Sequence, residues 1–359
     1  MSRIVLLIEH VENRRLLAEW LSLHHEVTTP DTPSALDPEL DLAIVDGPSL
    51  ERWGHWLDAV RSAVYPVFLP ILLVSHRHGA MTTSGVWDHI DELIVTPVEK
   101  LELRARVQTL LRARSLSLAN AALAHRLETE LARAREVQAG LLPSEAPVLN
   151  GYELAARCIP AREVGGDFFD WQAIDGSAAL SVGDVMGKGI PAALLAATVR
   201  AVLRALAHQN PPAAALDLLR QALNSDLERT SSFVTLFHAR IAEGEIRYVD
   251  AGHGHAVVRR ASGLIERLER GGRPVGFPAA VAYRESVLRL EPGDVLVVFS
   301  DGLFSSTART GPRPENLIGE LDISQPAKAL VDRLVEQAEQ APKQDSVDDV
   351  TVLALKRVA

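Results

Sequence analysis

A single cysteine, Cys158, is all the thiol chemistry the chain possesses. No disulfide can close within it, and no cysteine-rich metal site can form. Aromatics make up only 5% of residues, no basic cluster with interleaved aromatics occurs, and the net charge is -10. That balance argues against a nucleic-acid partner. Long hydrophobic runs are missing too: the opening M-S-R-I-V-L-L-I-E-H is too short in apolar residues for a signal peptide, and no segment reads as a membrane span. The cytoplasm is therefore the expected compartment. What is present is core-forming material, with 47% apolar residues, a mean hydropathy of +0.07 and 359 residues, a length that suits two domains and a connector.

The densest chemistry lies between Pro160 and Ala193, which reads P-A-R-E-V-G-G-D-F-F-D-W and then, after a spacer, A-L-S-V-G-D-V-M-G-K-G-I-P-A-A. Asp167 and Asp184 each follow a glycine at the end of a short strand, so both can face one point. Hard divalent cations such as Mg²⁺ and Mn²⁺ take oxygen ligands, and neighbouring glycines let backbone and water approach the ion. Beyond Asp184 a long apolar helix opens near Pro191. The Gly187-Lys188-Gly189 run is not a Walker loop, since Val182 and Gly189 stand where that motif needs a glycine and a hydroxyl residue.

Taken in order, residues 1–114 alternate short apolar runs (Ile4 to Ile8, Leu42 to Val45, Ile71 to Val74, Leu93 to Val95) with segments of helical length. This predicts a doubly wound α/β domain with parallel strands. Ligands of such sheets sit beyond the carboxyl ends of the strands, where Glu9, His10, Asp46, Ser75 and Thr96 fall. Residues 115–143 are rich in Ala, Leu, Arg and Glu, strong helix formers that continue as far as Pro143. Leu127, Leu131, Ala134, Gln138 and Leu141 are spaced as a short coiled-coil seam, with Leu116 and Leu123 in a neighbouring register. A homodimer through this helix is the expectation, against the alternative of a helix folded back on its own domain. Residues 144–359 mix many strands with a few long helices, an α+β pattern. There F-S-D-G places Asp301, and D-D-V-T places Asp348, at further strand ends. Four carboxylates sharing a pocket repel one another unless cations lie between them.

The first segment resembles the receiver domain of bacterial response regulators. The resemblance makes Asp46 the candidate phosphoacceptor, Glu9 part of the acidic site, Ser75 the hydroxyl that senses the phosphoryl group, and a sensor kinase the implied partner. The second acid and the lysine of receivers are replaced by His10 and Thr96, which leaves open a receiver-shaped docking module in which Asp46 only ends a strand.

The ordered set E-V-G-G-D-F-F-D, G-D-V-M-G-K-G, V-D-A-G-H, F-S-D-G and D-D-V-T resembles the PPM family of metal-dependent Ser/Thr protein phosphatases. A-R-E-V-Q-A-G-L-L-P upstream narrows this to the bacterial branch of sporulation and general-stress phosphatases. The resemblance implies an αββα sandwich and two Mn²⁺ or Mg²⁺ ions. Asp184 would bridge the ions beside the Val185 carbonyl, with Asp167 on one ion and Asp301 and Asp348 on the other. It also implies in-line attack of an activated water on phosphorus, and, as substrate, a phosphorylated anti-sigma-factor antagonist of the STAS type in a partner-switching pathway. His253 is a candidate helper or a turn pin, and Asp170 and Asp349 are candidate partners of the site or solvated acids. Ser305 stands where the branch often has an acid. A non-catalytic docking regulator built from the same folds is the alternative. A diguanylate cyclase, suggested by G-G-D-F-F, is disfavoured by Phe168 and by the downstream motifs.

Overall fold

The structure, a computed structural model, describes residues 1–31, 39–76, 89–174, 176–242, 244–277, 281–305, 314–340 and 348–358. The chain forms two compact units, Met1–Thr129 and Glu130–Ala359.

In the first unit, β1 (Arg3–Leu7), α1 (Val11–Leu21), β2 (Glu26–Thr28), β3 (Leu42–Asp46), α2 (Gly47–Val64), β4 (Ile71–His76) and β5 (Glu92–Thr96) precede a helix, α3 (Lys100–Leu141). The five strands are all parallel in the order β2-β1-β3-β4-β5. Strand alternation sorts the apolar residues onto two faces. Val5, Leu7, Val45 and Leu73 pack with Leu50, Trp53 and Leu57 of α2, whereas Ile4, Leu6, Ile44 and Leu72 pack with Leu21 of α1 and Leu103 and Val107 of α3. This is the doubly wound arrangement expected from the sequence. The short edge strand β2 carries no apolar run and was not expected.

One helix of 42 residues replaces the expected pair of a domain helix and a separate linker, and the division between units falls inside it. Near its start the buried Arg114 donates to the carbonyls of Phe68 (2.9 Å) and Leu40 (3.3 Å). Further along, Leu116, Leu123 and Leu127 are exposed, Leu127 by 58%.

The second unit is a sandwich of two antiparallel five-stranded sheets between helical layers. The first sheet, in the order β13-β10-β9-β8-β7, contains β7 (Asp167–Ile174), β8 (Ser177–Val185), β9 (Val234–Ala242), β10 (Glu245–Ala251) and β13 (Ser286–Leu288). The second, in the order β12-β11-β14-β15-β6, contains β6 (Tyr152–Ile159), β11 (Ala256–Arg259), β12 (Ile265–Arg267), β14 (Val295–Phe299) and β15 (Val350–Arg357). Between the sheets, Phe169, Trp171, Val182, Phe237 and Ala239 meet Val258, Leu296, Val298, Leu353 and Leu355. The outer face of the first sheet is covered by α4 (Ile190–Ala207) and α5 (Pro212–Arg229) through Ala196, Val199, Leu203, Leu216 and Leu219. The outer face of the second is covered by α8 (Ala327–Gln340) through Leu330, Val331, Leu334 and Val335; the short helices α6 (Gly302–Ser305) and α7 (Pro314–Gly319) precede it.

By length and composition alone α4 is long and apolar enough to cross a bilayer, contrary to the expectation of no such segment. Its Ala192, Ala196, Val199 and Leu203 instead pack into the core. The strand-to-helix handover expected after Asp184 is present: β8 ends at Val185, and Gly189, with φ of 73°, caps α4 just before Pro191. That left-handed conformation favours glycine.

Candidate active site

Asp167 and Asp184 stand directly opposite each other, as the first residue of β7 and near the last of β8. Antiparallel pairing therefore brings both to one end of the first sheet. Asp301 follows β14 and Asp348 precedes β15; these strands are also antiparallel neighbours, with Phe299 opposite Val352. Ser300 ties the two ends together. Its hydroxyl donates to the Asp349 carbonyl (3.0 Å) and accepts the Thr351 N–H (2.9 Å). Gly302 fits because a β-carbon there would lie 1.9 Å from the Asp349 carbonyl oxygen.

The two sheets are joined at this end by Asp349. Its Oδ1 accepts from the Ala161 N–H (2.7 Å), and its Oδ2 accepts from Gly166 (2.6 Å) and Asp167 (3.3 Å). Such charge-assisted bonds are worth roughly 1.5–3 kcal/mol each. Asp349 is thus an anchor for the loop that presents Asp167, and not a solvated acid. From the first sheet, Lys188 reaches Asp348 Oδ1 at 3.1 Å.

Electrostatics report the same convergence. Burial raises the Asp184 carboxyl to about 7, helped by the charges of Asp301, Asp348 and Asp349 and opposed by Lys188. Asp167, 4% exposed, is pushed well up by burial and then by Asp184. Asp301 is raised by burial and by Asp348. Carboxylates that disfavour one another's ionisation are waiting for positive charge.

Whether divalent ions suit these groups turns on the donors. Among the described residues no three His, Cys, Asp or Glu side chains cluster tightly enough to enclose an ion by themselves. The acids would therefore act in pairs, completed by backbone and water, as hard cations permit. The buried Oδ2 of Asp167 has no partner within the protein. A β-carbon at Gly166 would sit 2.7 Å from the Val185 carbonyl oxygen, so glycine there leaves that oxygen open beside Asp167. On these observations the residues fit.

Other sequence candidates fall elsewhere. Asp170 is buried against α4, where it accepts from Arg204 (2.5 Å) and Arg200 (3.2 Å). It ties β7 to the helix that follows Asp184, and does not face the other acids. His253 is buried, and its Nδ1 lies 3.3 Å from Thr235 Oγ1, a residue opposite Asp184 in the β8–β9 pairing. Burial, then His255, lowers its pKa to about 3, which favours the neutral imidazole.

In the first unit, Asp46 and Glu9 meet at the carboxyl edge of the parallel sheet, and Ser75 follows Val74, the residue opposite Asp46 on β4. Yet Asp46 caps α2: Oδ1 accepts from the Ser49 N–H (2.9 Å) and Oδ2 from the Glu9 N–H (2.8 Å). His10 caps α1 through the Asn13 N–H (3.4 Å). Gln138, which its spacing assigns to the coiled-coil seam, instead bonds to Gly165: Nε2 donates to the carbonyl (2.7 Å), and Oε1 accepts the N–H (3.1 Å).

Comparison with known proteins agrees with this geometry. The family model described as Stage II sporulation protein E (SpoIIE) matches residues 174–358, which takes in Asp184, Asp301 and Asp348 and begins just after Asp167. The chain is 27% identical to phosphoserine phosphatase RsbU of Bacillus subtilis over 240 residues, covering 64% of this chain and 71% of RsbU. Among solved structures, the RsbU and RsbW domains of Rv1364c from Mycobacterium tuberculosis superpose with a TM-score of 0.52 at 26% identity, covering 61% of this chain and 63% of that one. The SiaA-PP2C domain of Pseudomonas aeruginosa shares the fold with a TM-score of 0.57 at 21% identity, covering 66% of this chain and 99% of that domain.

Proposed function

We propose that this chain, which belongs to the Stage II sporulation protein E family and carries a PPM-type phosphatase domain, hydrolyses phosphoserine or phosphothreonine on a protein partner. The reading rests on one observation above the rest: Asp167 and Asp184, paired across β7 and β8, share one electrostatic site with Asp301 and Asp348. Two Mn²⁺ or Mg²⁺ ions bound there would activate a water for attack on phosphorus and neutralise charge that builds on the phosphoryl oxygens. Asp184, with the Val185 carbonyl beside it, would be shared between the ions, Asp167 would hold one, and Asp301 and Asp348 the other. Lys188, beside Asp348, adds positive charge where an anionic substrate must enter. Asp349 and the Ser300 hydroxyl keep the loops that carry these acids in register.

The finer reading is that the substrate is a phosphorylated STAS-type anti-sigma-factor antagonist in the cytoplasm. It is supported by likeness to a phosphoserine phosphatase and to a structure that combines RsbU and RsbW domains. Two copies would pair through the exposed leucines of α3, from Leu116 to Leu127. The receiver-like unit would control the phosphatase, and we read it as a docking module, because both carboxylate oxygens of Asp46 are engaged by backbone N–H groups, from Ser49 at the start of α2 and from Glu9.

The test is Mn²⁺-dependent release of phosphate from a phosphoserine protein, comparing the wild type with Asp184→Asn and Asp301→Asn. Metal-dependent release that both variants lose supports the assignment. Release that survives either substitution refutes it.

A further inference from the structure

The bonds between Gln138 and Gly165 belong to no helix, strand or turn. The primary amide of Gln138 satisfies both backbone groups of Gly165, donating at 2.7 Å and accepting at 3.1 Å, much as a neighbouring strand would. From the other side, Asp349 holds the next two N–H groups, those of Gly166 and Asp167. The Gly165 backbone passes so close to that carboxylate that a β-carbon there would lie 2.3 Å from Asp349 Oδ2. Three consecutive residues are thus gripped by two side chains immediately where β7 begins. Asp167 Oδ2 accepts no hydrogen bond within the protein, so where it points is set by the placement of its backbone together with the Ser300 and Thr351 hydroxyls beside the carboxyl group.

We propose that Gln138 is a positioning residue for Asp167, its amide fixing the start of β7 so that the Asp167 carboxylate is preset for a divalent ion. The inference rests on the metal reading above. Groups that orient a ligand without touching the ion influence affinity strongly, and losing one costs roughly ten- to a hundredfold in metal binding. A residue that only fastened the end of α3 to its unit would instead affect stability and leave affinity alone.

The experiment is calorimetric titration of MnCl₂ into the metal-free full chain, for the wild type, Gln138→Met and Asp184→Asn, with melting measured in chelator. Gln138→Met keeps length and flexibility but loses both bonds. It is expected to bind Mn²⁺ roughly tenfold or more weakly, to melt lower without metal because the buried Gly165 N–H and C=O lose their partner, and to recover most of its kcat at saturating Mn²⁺. Should it fail to fold, Gln138→Glu retains the shape and the acceptor but loses the N–H donor, and a loss of affinity is expected there too. Wild-type affinity in the folded variant, whatever its melting temperature, overturns the positioning role alone. Absence of Mn²⁺ binding by the wild type overturns the metal reading and this inference with it.

Discussion

Both units place aspartates at the ends of strands, and they use them in opposite ways. Asp46 ends β3 with each carboxylate oxygen accepting a backbone N–H, from Ser49 and Glu9. Asp167 and Asp184 face each other and two further acids, and one buried oxygen of Asp167 has no protein partner. The difference lies in what the fold supplies. Backbone donors turn a carboxylate into a cap, whereas other carboxylates turn it into half of a cation site. Position at a strand end is common to both units, and only the partners distinguish the helix-capping acid from the clustered ones.

The largest effect expected from this contrast is on turnover. Asp184→Asn should lower phosphate release by about three orders of magnitude, or about 4 kcal/mol of transition-state stabilisation. Asp46→Ala should leave basal release within about twofold in the same assay. A comparable loss in both variants would erase the distinction.

A second effect concerns pH. Burial and like charges raise the folded Asp184 pKa to about 7 from an ordinary 3.8, and Asp167 and Asp301 move the same way. For an acid shifted upward, the native state binds more protons than the unfolded chain between those two values. The stabilisation is complete below the lower value and is lost as pH rises through the upper one. The metal-free chain should therefore lose melting temperature between about pH 4 and pH 7 on account of these groups. Added Mn²⁺ should raise melting more at pH 8 than at pH 5.5, because protons and cations compete for the same oxygens. Scanning calorimetry in chelator and in Mn²⁺ checks this, and a larger gain at the lower pH would contradict it.

The smallest effect is that of removing a cap. Asp46→Ala should cost about 1 kcal/mol of stability, confined to the first unit and read by hydrogen exchange in α2. A stability change in the second unit instead would show that Asp46 does more than cap its helix.

Much of this was legible in the chain itself, and the parts that were not share a physical reason. Strands such as β9, β10 and β15 announce themselves by short apolar runs, α4 and α5 by their helical apolar stripes, and the four acids by strand ends, three of them (Asp167, Asp184 and Asp301) with a glycine alongside. By contrast, β6 is half-buried along all eight residues and shows no clean alternation. Asp349 sits beside Asp348 and looks no different in sequence, yet its partners Ala161, Gly166 and Asp167 lie more than a hundred residues away in the chain, beyond any local pattern. Gln138 carries the spacing of a helix seam, and its actual use depends on where Gly165 arrives in the fold. Asp170 reads as one more acid near the site until Arg200 and Arg204 of α4 are seen to neutralise it. Periodicity records which face is buried, whereas a polar side chain's role depends on distant partners.

The central claim is that Asp167, Asp184, Asp301 and Asp348 form a divalent metal centre. Anomalous scattering at the manganese edge, from crystals grown with Mn²⁺, tests it most directly. The account predicts two manganese peaks, both in contact with the Asp184 carboxylate, one also near Asp167 and the other near Asp301 and Asp348. Crystals saturated with Mn²⁺ that show no manganese against Asp184 would contradict it.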